Sequence, residues 1–129
     1  MKILLSIYFI ISIGAVDSLA VYGTLPFNAA SETRCGWFVN PTPANAWLID
    51  AEREWIISVQ GGYQADGDWP TFSKSQWVET NGHYGYGCAC VKVNANRSDE
   101  KIVNIVSAFA KPVSACRKDK ALKGKEPRE

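Results

Sequence analysis

Apolar and polar residues alternate over short runs in this chain, and they seldom recur at the spacing of a long amphipathic helix. The clearest run is 86–93, where Ala89, Val91 and Val93 take every second position and cysteine or lysine lies between them. Successive side chains of a strand point to opposite faces, so this alternation predicts a strand with one apolar face.

Six runs rich in aromatic and β-branched residues predict strands, at 35–39, 47–50, 55–59, 76–80, 86–93 and 102–109. The second and third flank a short charged stretch, which predicts a hairpin, and Asn81-Gly82 predicts a tight turn. A single helical turn is expected around Cys116, after Pro112. The predicted fold class is mainly β: a small antiparallel sheet or barrel with little helix outside the N-terminal segment.

The N-terminal segment has the pattern of a cleavable export signal. Lys2 precedes an apolar run of about 14 residues, which is shorter than the roughly 20 that a membrane span needs. Asp17 ends the run, and Ser18-Leu19-Ala20 offers the small residues of a cleavage site. We therefore expect a signal peptide over 1–20 and an exported protein. An uncleaved anchor or a buried helix is the alternative.

Four cysteines, Cys35, Cys88, Cys90 and Cys116, follow the signal. An even number in a small exported domain predicts two disulfides. Cys35 and Cys116 would each bond to one of the two central cysteines, and the sequence leaves the choice open. The alternatives are a redox-active Cys-x-Cys pair and a soft-metal site with His83. We expect no cofactor and no metal.

The chain after the predicted signal divides into three segments, and the last of them differs in charge from the others. Residues 21–33 form a lead-in, 34–116 a disulfide-stapled β domain, and 117–129 a charged tail. The tail has six basic and three acidic residues, and its composition predicts a disordered, solvated end or a weak contact with an anionic surface. Residues 21–129 have 13 basic and 12 acidic residues, a balance that argues against a nucleic-acid partner.

The most distinctive segment is 81–90, in which three glycines allow close backbone approach and two tyrosines supply flat amphipathic surface. The candidate binding residues are Trp37, Asn81, His83, Tyr84 and Tyr86. A turn followed by a disulfide-bearing strand is the purely structural interpretation of the same segment.

Catalytic signals are weak in this sequence. His83 is the sole histidine, and no recognisable nucleophile and orienting carboxylate accompany it. Carboxylates that are close in sequence, such as Asp66 and Asp68, lack the ligand spacing of a calcium loop. No catalytic residue is therefore predicted.

Two long motifs, residues 35–45 and the segment 81–90, together with Cys116-Arg117, make the chain resemble a family of small secreted proteobacterial proteins of unknown function. The resemblance covers roughly residues 35–120. It implies a bacterial protein that is exported to the periplasm or secreted, and it carries over no activity.

These observations favour a non-enzymatic periplasmic binding module, of the inhibitor or immunity type, whose partner is a periplasmic protein. The alternative is recognition of glycan or peptidoglycan through exposed Trp and Tyr. An enzyme that uses His83 is the least supported hypothesis. No membrane span is expected after signal cleavage.

Overall fold

The structure is a computed structural model, and it describes residues 30–128. The predicted signal peptide and residues 21–29 of the lead-in lie outside the described residues. The elements are β1 (Glu32–Thr42), β2 (Asn45–Asp50), β3 (Glu54–Ser58), β4 (Trp77–Asn81), β5 (Tyr84–Asn96), β6 (Lys101–Lys111) and α1 (Val113–Lys118). Two 3₁₀ turns occupy Lys74–Gln76 and Lys120–Leu122. The mainly β fold class is confirmed. Within this part of the chain, no helix is long and apolar enough to cross a membrane.

Five of the strands close into a barrel. They follow the order β1-β2-β3-β6-β5, and β1 also pairs antiparallel with β5, so the first and last strands meet. β4 lies outside this ring and pairs with the first residues of β5. All strand pairings are antiparallel except that of β3 with β6, which is parallel.

The seam between β3 and β6 is short and is completed by a loop. Ile56 pairs with Lys101, and beyond this pair the strands separate. The segment 64–66 fills the gap: Ala65 N donates to Ile57 O, Asp66 N donates to Val103 O, and Ile105 N donates to Asp66 O. Part of the connection between β3 and β4 thus belongs to the barrel wall.

The barrel interior is packed by inward-facing residues of the five strands. The largest fully buried side chains there include Trp55, Phe38 and Leu48. The alternation predicted for β5 is confirmed, since Ala89, Val91 and Val93 line this core and Lys92 is exposed.

A second apolar cluster covers the outer face of β1, β2 and β5. Trp37, Val39 and Tyr86 lie beneath Cys116 and Leu122 of the C-terminal segment. We call residues 111–128, which cross this face, the C-terminal cap. The composition of residues 117–129 predicts a solvated end, whereas residues 117–128 pack as part of the cap, because a buried leucine and a disulfide hold them.

The two disulfides are Cys35–Cys90 and Cys88–Cys116, and no cysteine among the described residues is free. The predicted cysteine framework is confirmed, and the structure settles the pairing. Cys35 lies directly opposite Cys90 across the β1–β5 ladder. Cys88, two residues away on the same face, is left to hold α1.

Candidate functional site

An aromatic cleft opens beside one end of β1. Phe38 forms its base, and the rings of Trp69 and Phe72 lie 5.6 and 5.9 Å from the Phe38 ring, centroid to centroid. Trp77 continues the row at 4.9 Å from Phe72. Trp69, Phe72 and Trp77 are only partly buried, so the row presents ring surface to solvent.

Glycine at position 87 makes the row possible. A Cβ at Gly87 would approach the Phe72 ring to 2.5 Å, closer than packing allows. The glycine-rich segment that the sequence singles out therefore acts by leaving room for an aromatic ring. Trp77 is held in turn, because its indole Nε1 donates to the backbone carbonyl of His83 at 3.0 Å.

Polar groups surround the aromatic row. The cleft has a volume of about 380 Å³, and Asn40, Lys74, Glu79 and His83 contribute to its lining. The His83 ring also lies against Tyr84, with ring centroids 4.2 Å apart. An apolar floor with a few convergent polar groups is the usual composition of a ligand site.

The candidate residues from the sequence fall into two places. His83 lines the cleft, and Tyr84 and Asn81 belong to the adjacent β4–β5 hairpin. Trp37 is only 1% exposed and lies in the outer cluster, where its ring meets Tyr86 edge-on at 5.4 Å. Trp37 and Tyr86 thus pack together on the outer face of the sheet. Trp37 points away from the cleft because it is adjacent to Phe38 on β1, and successive residues of a strand point to opposite faces.

Sequence reasoning missed the aromatic floor of the cleft. Trp69 and Phe72 fall in a stretch that turn residues mark as a loop, and Trp77 begins a short strand. The sequence contains five tryptophans and does not show which of them face solvent. Only the fold of the 63–76 segment across the end of β1 brings these three rings together.

A charged cluster occupies the other end of β1. Arg34 is buried, and it forms ion pairs with Asp50 at 2.6 Å and with Glu52 at 3.0 Å. Its guanidinium lies 4.0 Å above the Trp55 ring, and the Trp55 indole donates to Asp50 Oδ2 at 3.0 Å. Glu32, Arg53 and Arg97 complete the network at its exposed rim.

The ionisation of this cluster favours a structural role. Burial disfavours the charge on Asp50, but hydrogen bonds from the backbone of Arg53 and from Arg34 outweigh it and hold the pKa of Asp50 below its ordinary value. The pKa of Arg34 is raised, since its carboxylate partners outweigh its burial. Each of these buried charges has a partner, so the cluster seals the barrel end without offering a free acid or base.

The two central cysteines are each engaged in a disulfide with a partner outside the Cys-x-Cys pair. Cys88 and Cys90 are both bonded, which leaves neither thiolate for the metal site with His83 or for a dithiol. Over residues 30–128, no group of three or more His, Cys, Asp or Glu side chains is arranged to hold a metal ion.

The fold and the cleft define a class: a small β-barrel domain, stapled by two disulfides, with an aromatic surface cleft. The chain belongs to the family described as "Protein of unknown function (DUF4087)", whose model matches residues 29–123. Membership in a family of unknown function, which the motifs suggest, is thereby confirmed. Neither the curated proteins nor the solved structures searched give a match.

Proposed function

We propose that this protein is an exported, non-enzymatic binding domain that recognises a partner protein through the aromatic cleft. The observation that carries the proposal is the row of three solvent-facing rings, Trp69, Phe72 and Trp77, in a cleft with a polar rim. Aromatic residues dominate the energetics of protein interfaces, and a cleft of this size takes one or two apolar side chains.

The inhibitor or immunity type of function fits the rigidity of this site. The cleft is built on β1, β4 and a loop that is itself hydrogen-bonded into the barrel wall. A site that is already shaped loses little conformational entropy on binding, which favours tight complexes from a small interface.

Affinity capture with matched variants tests the proposal. The oxidised protein, immobilised, is exposed to periplasmic extract of the bacterium that encodes it. We expect a specific protein that Trp69→Ala and Trp77→Ala fail to retain and that Val103→Ala retains, since Val103 is an exposed apolar residue that does not line the cleft. Equal capture by all four proteins would contradict a role for the cleft, and so would no capture beyond blank beads.

Recognition of a glycan is the second candidate, and the pairing of flat rings with hydrogen-bonding groups such as Asn40 and Glu79 favours it. Insoluble peptidoglycan should then remove the wild type from solution, while Trp77→Ala stays in the supernatant. If the wild type also stays in the supernatant, the glycan hypothesis fails and the protein-partner hypothesis is unaffected.

A further inference from the structure

The C-terminal cap differs sharply in charge from the rest of the described chain. Residues 111–128 contain seven Lys or Arg and two Asp or Glu, a formal net charge of +5. Residues 30–110 contain six basic and nine acidic residues, a net charge of −3. The positive charge is thus concentrated on one segment, which the fold attaches to a single face of the barrel.

Most cations of the cap have no ion-pair partner among residues 30–128. Arg117 pairs with Glu126 at 2.7 Å, and Lys125 donates to the backbone carbonyls of Asp50 and Ala51. The remaining cations are exposed and form no ion pair within this range: Lys111, Lys118, Lys120, Lys123 and Arg128. Among the described residues, none of these five charges has an anionic partner that would compete with an external anion.

The outer face of the sheet, which the cap crosses, continues onto β6. Cross-strand neighbours share a face of the sheet, so Lys111 lies on the side of Cys88 and Phe109 on the side of Cys90. Phe109 is 65% exposed, the most exposed large apolar residue described. Phe109 is therefore an exposed ring on the same face of the sheet as Lys111, two positions away along β6.

We propose that this face, which we call the cationic face (the five free cations of the cap with Phe109), binds an anionic lipid surface. Each lysine ammonium is a point charge on a flexible stem. Several such charges distributed over one face can contact many phosphates of a planar surface at once, whereas a single small ligand would meet only one or two of them. Each Lys or Arg near such a surface strengthens attachment several-fold, and an apolar side chain that enters the headgroup region supplies the second contribution that reversible anchoring needs.

The geometry also separates the cap from the aromatic cleft. The cap lies over the outward-pointing residues of β1, whereas Phe38 at the base of the cleft points the other way. Attachment through the cations of the cap would leave the cleft open to a partner, while Phe109 lies nearer to it and lines a cavity that Trp69 also lines. The proposal does not depend on what the cleft binds.

Co-sedimentation with lipid vesicles tests the proposal on the oxidised protein. We expect binding to vesicles that contain phosphatidylglycerol and none to phosphatidylcholine alone, with binding lost at high salt because the charges are exposed. Replacing Lys118, Lys120 and Lys123 together by Gln should weaken binding by roughly 100-fold, and Phe109→Ala by several-fold. The corresponding triple Arg variant should bind as the wild type does.

Two controls make the outcome decisive. Lys74→Gln removes an exposed cation at the cleft and should leave vesicle binding unchanged, and the triple Gln variant should unfold at the wild-type urea concentration. Equal binding to both vesicle types, or unchanged binding of the triple Gln variant, would overturn the proposal. So would saturable binding to an acidic protein or to DNA with no binding to anionic vesicles.

Discussion

The two sides of β1 bury aromatic residues by different means. Phe38 points into the barrel, where five hydrogen-bonded strands surround it. Trp37 and Val39 point outward and are buried by the C-terminal cap, whose only α-helix has six residues. A helix of that length is unstable alone. The inner core is therefore closed by the sheet itself, and the outer cluster depends on one disulfide and a few contacts.

This difference indicates that the barrel is closed by its own strands, whereas the C-terminal cap is attached to it from outside. The Cys88–Cys116 bond joins the C-terminal cap to β5. Near the end of the cap, the Tyr86 hydroxyl donates a hydrogen bond to Glu126 at 3.0 Å. The contrast can be tested by damaging each side separately.

The largest effect is expected from Trp55→Ala in the inner core. Trp55 is fully buried, and its loss leaves a cavity and removes a hydrogen bond to Asp50. We expect a loss of about 3–5 kcal/mol in the free energy of unfolding, measured by urea denaturation. Trp55→Phe keeps most of the ring and should lose less than half as much. Equal losses in the two variants would show that ring volume does not govern this core.

The double variant Cys88→Ala/Cys116→Ala should release the C-terminal cap from the barrel. The cysteines are 28 residues apart, so the bond should contribute about 3 kcal/mol. Amide exchange should rise in residues 113–126 while β1, β5 and β6 stay protected, because the barrel closes without the cap. Uniform loss of protection across the strands would mean that the two sides are one cooperative unit. Ser114→Ala, an exposed change on α1, serves as the control.

Asp50→Asn should change both the stability and its pH dependence. It weakens the bond to Arg34 at neutral pH, which should cost about 2 kcal/mol. The pKa of Asp50 is depressed in the folded protein, so its contribution is present above the unfolded-state pKa and is lost as the pH falls through the folded-state pKa. Urea midpoints of wild type and variant should therefore converge in acid. A constant difference down to low pH would contradict this linkage.

The smallest perturbation is partial reduction, which distinguishes the disulfides by access. Cys88 and Cys116 are each 3% exposed, whereas Cys35 is exposed. A mild reductant followed by thiol alkylation and mass spectrometry should label Cys35 and Cys90 first. Earlier labelling of Cys116 would contradict this order. It would show that the C-terminal cap opens faster than the reductant attacks the exposed Cys35–Cys90 bond.

The strand positions were predictable because each strand carries its own signal. Alternation placed β5, and Asn81-Gly82 marks the turn between β4 and β5, where Gly82 adopts a positive φ. Prolines and charged turns delimited the others. These are local effects of backbone sterics and of one buried face, so neighbouring residues suffice to reveal them.

The candidate site was only partly predictable, for a physical reason. His83 belongs to the cleft as the glycine-rich segment suggested, but Trp37 and Tyr86 pack on the other face. A sequence shows which residues alternate without showing which face a later segment will cover. The cap hides those two rings, and residues 69–77 supply the rings that face solvent.

The sequence by itself determined the mainly β class, the strand positions and the four cysteines that form two bridges, because alternation, turn residues and cysteine number are local. The tertiary structure decided the closure of β1 on β5, the choice of Cys90 as the partner of Cys35, and the place of the C-terminal cap. Each of these depends on pairing between segments far apart in the chain, where register and the direction of a face are fixed only when the strands meet.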